Sequence, residues 1–129
     1  MSSHPQARIT SYMADADLSS KQYYAMKIGS DSKHINIVSD ANGKSIGFLM
    51  NKPSASGQFA EIAGVGGGAL GKLAESVAAM AQLTCTANGD LEVVDAAGEV
   101  CVAIALEAGD SGDVIAIDVV NLEPHAADA

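Results

Sequence analysis

Displaced along itself by 55 residues, the chain aligns without a gap: VSDANGKSIGFLMNKPSASGQFAEIAGV (38–65) lies over VVDAAGEVCVAIALEAGDSGDVIAIDVV (93–120). Two turn signals coincide. Asp40, Ala41 and Gly43 meet Asp95, Ala96 and Gly98, and Ser56 and Gly57 meet Ser111 and Gly112. Ile62 and Val65 meet Ile117 and Val120, and further upstream Ala14 meets Ala69, Leu18 meets Leu73 and Ile28 falls opposite Leu83. Turn residues recurring at matched places predict a repeated set of elements, and so a fold made of two similar halves, 14–65 and 69–120.

Between the turns lie short runs rich in β-branched and apolar residues. They predict strands at 24–28, 34–38, 45–50 and 58–65, and again at 83–86, 91–94, 100–106 and 113–120. Strands this short, bounded by Gly, Asn, Asp and Ser, are the pattern of a mainly β fold, a small β-sandwich or barrel. Asn88-Gly89 adds a tight-turn signal, because this pair accepts the positive φ angles that a hairpin needs. Helix is plausible in one place. Leu73, Val77 and Met80 recur at helical spacing within LAESVAAMAQ (73–82), which predicts at most a short helix or a turn there. The division that follows is an N-terminal arm at 1–17, a β domain at 18–120 and a C-terminal tail at 121–129.

Charge narrows the function classes. Sixteen acidic against seven basic residues give a formal net charge of −9, which repels nucleic acid and anionic membrane surfaces alike. No apolar run approaches the ~20 residues needed to span a bilayer as a helix, and the first residues lack the apolar core of a signal peptide. Cys85 and Cys101 both stand in apolar, strand-like settings, where a small buried thiol is the usual case.

Several segments imitate chemical motifs. Gly66, Gly68 and Gly71 fit G-x-G-x-x-G, and 66–72 nearly fits a P-loop, but Leu73 stands where a Ser or Thr would hold magnesium. These glycines lie at the seam of the repeat, so a joint or bulge is the simpler reading; a nucleotide or small-ligand module using the Gly66-to-Lys72 loop is the alternative. GDSG (109–112) imitates a serine-protease nucleophile segment, yet the repeat sets Ser111 opposite Ser56 in a turn, and His34 alone of the three histidines lies outside the tails. The histidines show no metal spacing, and the segment from Asp15 lacks the Gly and final Glu of a calcium loop. The expectation is a protein without catalytic residues, cofactor or metal.

The two-turn repeat, together with GKSIGFLMNKPSASGQFAEIAGVG and GEVCVAIALEAGDSGDVIAIDV, resembles the capsid cement, or head decoration, proteins of tailed bacteriophages over about residues 23–120. Val102, where the second copy of the pattern often has Gly, and Met80, where a turn Gly is more usual, depart from it. The resemblance implies a structural virion protein, made in the host cytoplasm, that associates as a homotrimer on the outer capsid surface, binds the major capsid protein and stabilises the shell. The residues expected at a capsid or subunit interface are Arg8, Ile9, Tyr12 and Met13 of the arm, with Tyr23 and Tyr24. A structural β domain of a cellular scaffold is a further reading of the same composition.

Overall fold

The computed structural model describes residues 8–39, 45–94 and 100–120, with backbone alone for 8–10. Its strands are β1 (Arg8–Ala14), β2 (Ala25–Ile28), β3 (His34–Ile37), β4 (Gly47–Leu49), β5 (Phe59–Gly64), β6 (Gly68–Lys72), β7 (Gln82–Cys85), β8 (Leu91–Val93), β9 (Ala103–Ala105) and β10 (Val114–Val119). No helix occurs among the described residues. The first five strands close into a barrel ordered β1-β3-β2-β4-β5, and the last five form a sheet ordered β6-β10-β9-β7-β8. A single parallel bridge, Leu73 to Leu91, joins the ends of that sheet. Followed around the ring, the second half therefore repeats the strand order of the first, and the expected mainly β architecture of two similar halves is what the chain adopts.

The registers repeat as well. Met13 opposite Phe59 becomes Lys72 opposite Val114, and Ala14 opposite Ile35 becomes Leu73 opposite Leu91. Met26 opposite Ile37 becomes Leu83 opposite Val93. Ala25 opposite Phe48 becomes Gln82 opposite Ile104, and Phe48 opposite Ala63 becomes Ile104 opposite Asp118. Subtracting numbers gives displacements of 59 for β1, 57 for β2, 56 for β3 and β4, and 55 for β5, one consistent set around the ring. The ungapped displacement of 55 holds for the last strand and its preceding turn, where Gly57 and Gly112 share a φ of +88°. Upstream the connections of the second half are shorter, so Leu73 answers Ala14 rather than Leu18, and Leu83 answers Met26 rather than Ile28.

Burial follows the corrected equivalence. The first barrel is filled by Ala14, Leu18, Met26, Ile35, Leu49, Ala60 and Ile62. Their counterparts Leu73, Val77, Leu83, Leu91, Ala105, Ile115 and Ile117 all lie in the second core. One cross-strand pair exchanges bulk: Tyr12 faces Ala60 in the first barrel, and Gly71 faces Ile115 in the second. A Cβ on Gly71 would come within 2.9 Å of both Ile117 Cδ1 and Leu91 Cδ1, so the space belongs to the neighbours.

Two expectations are corrected together. Residues 8–14 of the supposed arm form β1, paired along its length with β5, and the glycine-rich seam forms β6, paired with β10. Each is the counterpart of the other. The turn option holds at 73–82: the amides of Leu73, Ala74 and Val77 donate to Asp113, Leu91 and Gly109 across the fold, which leaves them no part in a helical ladder. The D-A-x-G turns and the tail 121–129 lie outside the described residues.

Candidate interaction surface

The halves meet end to face. Ala25, Phe48 and Val38, on the outer side of the first barrel, are buried in the core of the second half, with Met50 packed beside them. Two backbone bonds anchor the contact: Lys72 N donates to the Tyr23 carbonyl (3.0 Å), and Ala25 N donates to the Gly89 carbonyl (2.8 Å). The segment 23–25 thus sits between β6 and β8, which explains why a lone bridge joins them. In the first barrel the matching groups bond each other, Met13 N to the Lys33 carbonyl at 2.8 Å, and the ring closes.

Among the exposed large apolar side chains, which also include Ile28, Val65, Leu70 and Val114, two neighbouring pairs bear on the repeat. Met13 (36% exposed) and Phe59 (53%) form a cross-strand pair on the first barrel, beside a groove of about 390 Å³ lined also by Ser11, Tyr12, Ser32 and Lys33. On the second half, Met80 (74%) and Leu106 (52%) stand out into solvent. The expected interface residues are distributed accordingly. Met13 and Tyr12 reach the groove, Tyr12 also packing on the first core, and Arg8 and Ile9 place their backbone in β1. Tyr23 lies at the junction of the halves, and Tyr24 packs on the first core under the Lys21 ammonium, 5.0 Å from its ring centre. Phe59, Met80 and Leu106 were not foreseen. An apolar residue at an outward position of a strand pattern is the signal they carry, and it becomes readable only once the register is known.

Each motif-like segment has a definite place in the fold. Gly66 makes a turn at φ +101°, and 68–72 is strand, so no helix N-terminus follows to hold a phosphate. Ser111 Oγ donates to the Ala74 carbonyl (3.0 Å) in its turn, while His34 Nδ1 lies 2.8 Å from Asp31 Oδ1 on the first barrel. Asp15 accepts from the amide and hydroxyl of Ser30, and Asp17 accepts from those of Ser19. The Ser19 hydroxyl, then its amide, holds the Asp17 carboxyl below the usual range; for Asp31 the His34 hydrogen bond does so first, then the Lys33 amide. Cys85 and Cys101 are buried thiols, and burial pushes Cys101 up. Among the described residues no group of three or more His, Cys, Asp or Glu could hold a metal ion.

No known protein family matches the chain, and no curated protein matches it in sequence. Among solved structures it is similar to the head fiber gp8.5 N base of bacteriophage phi29, with a TM-score of 0.67 and 12% identity, over 92% of this chain and 99% of that one. That likeness is one of fold, and it extends over both halves.

Proposed function

We propose that the protein is a structural component of a phage head, bound to the outer surface of the capsid as a decoration or cement protein. The observation that carries this reading is the likeness of nearly the whole chain to a protein of a phage head. The sequence resemblance to cement proteins points the same way. In this reading the major capsid protein is the partner, the working form is a homotrimer, and the protein acts in the virion after synthesis in the host cytoplasm. It stabilises the shell by bridging its subunits and carries out no catalysis. Its acidic charge keeps it from competing for DNA, and no helix among the described residues is long and apolar enough to cross a membrane.

Co-sedimentation with DNA-free capsids of the phage that encodes it tests the reading. Saturable binding at a fixed ratio to the major capsid protein, with capsids that then withstand more heat, is the expected result. Absence of the chain from pelleted capsids at saturating concentration would refute it.

A further inference from the structure

The junction inside the chain offers a template for contacts between chains. On the first barrel, Tyr23, Ala25, Phe48 and Met50 form the face that docks on the second half, with Phe48 fully buried and Met50 packed on that core. The register carries these positions to Met80, Gln82, Ile104 and Leu106. The same face therefore exists on the second half, and there it is open: Met80 is 74% and Leu106 52% exposed. The receiving end repeats too. Lys72 and Gly89 of the second half, which bond Tyr23 and Ala25, correspond to Met13 and Lys33 of the first, which border the groove with Phe59. Among the described residues each molecule thus presents one exposed docking face, where Met80 and Leu106 flank Gln82 in the place of the buried Ala25, and one groove at the matching end, where Met13, Tyr12 and Phe59 lie beside Ser11, Ser32 and Lys33.

We infer that the Met80–Leu106 face of one copy docks on the Met13–Phe59 groove of another, so that the junction between the halves is repeated between subunits. This contact is heterologous, joining two different patches, and a ring is its closed form. The first barrel's end is sealed by the Met13-to-Lys33 hydrogen bond, so the incoming segment gains side-chain contact without the two backbone bonds of the internal junction. The intermolecular contact is accordingly weaker than the internal one and depends on concentration. The inference deepens the homotrimer of the proposed function and rests on that part of it, while binding to the capsid is read separately by co-sedimentation.

Sedimentation velocity on the purified full chain tests it, with two variants, Phe59→Glu and Met80→Glu, whose exposed positions leave the core untouched. Wild type should form a discrete species at an integral multiple of 13.0 kDa, and each variant alone should be monomeric. Mixed in equal amounts, the variants should form a 1:1 dimer, since one brings an intact face and the other an intact groove. Leu106→Glu replaces Met80→Glu if circular dichroism shows the latter unfolded. A monomeric wild type, variants that keep the wild-type mass, or a mixture that stays monomeric would each overturn the inference.

Discussion

Tyr23 and Met80 occupy the same position in the two halves and share the same unusual backbone, with φ of 75° and 73°. Each donates its amide to the strand opposite at 2.7 Å, Tyr23 to the Leu49 carbonyl and Met80 to that of Ala105. A left-handed residue with a large side chain costs free energy, and both copies keep one. At Tyr23 the segment is held by the second half. Met80 stands 74% exposed.

Replacing Met80 by glycine separates the two effects at this position. Relief of the left-handed strain should raise stability by about 0.5–1 kcal/mol, net of the extra freedom glycine gives the unfolded chain. The same change removes the side chain from the docking face and should lower self-association. Urea denaturation and sedimentation read the two separately. A less stable Met80→Gly would show that the side chain is held within the monomer.

Gly71 should resist even one added carbon. Gly71→Ala meets Ile117 and Leu91 at 2.9 Å, and overpacking of this kind costs about 1–3 kcal/mol. Ile117→Val removes the Ile117 Cδ1 contact, so the double variant should be less destabilised than the sum of the singles by about 0.5 kcal/mol or more. Strict additivity in denaturant titrations would contradict the packing described.

Removing residues 1–17 deletes β1, the partner of both β5 and β3. A chain beginning at Leu18 should lose cooperative folding of the first barrel, seen as lost amide protection across β5. Unchanged protection would mean that 8–14 is an appendage after all.

Asp17 and Asp31 should make stability fall in acid. Their carboxyl pKa values are lowered in the folded chain, so each stabilising contribution is complete above the unfolded value and lost as pH falls through the folded one, below about pH 4. The stability difference between wild type and Asp31→Asn should therefore shrink as pH drops through that window. A difference independent of pH would exclude the Asp31 contact as its source.

The strand pattern and the S-G turns were legible in the sequence because turn chemistry and β-branched runs are local signals. β5 and β10 could be aligned directly, since the displacement there is the ungapped one. β1 and β6 could not. One reads as a polar arm and the other as a glycine joint, because Tyr12 with Ala60 and Gly71 with Ile115 divide the same volume in opposite ways. Complementarity between strands is invisible to a comparison of one strand with another. Of the candidate surface, Met13 and Tyr12 carry an interface expectation from the sequence, while Phe59, Met80 and Leu106 become readable only with the register.

A cryo-EM reconstruction of the virion, traced to side chains, decides both where the protein sits and how its copies meet. Density for paired barrels is expected on the outer face of the shell, with Met80 and Leu106 of one copy against Met13 and Phe59 of its neighbour. Virions that lack the protein, or that carry it inside the shell, would contradict the proposed function; copies on the outer face with Met80 and Leu106 turned to solvent would contradict the proposed assembly.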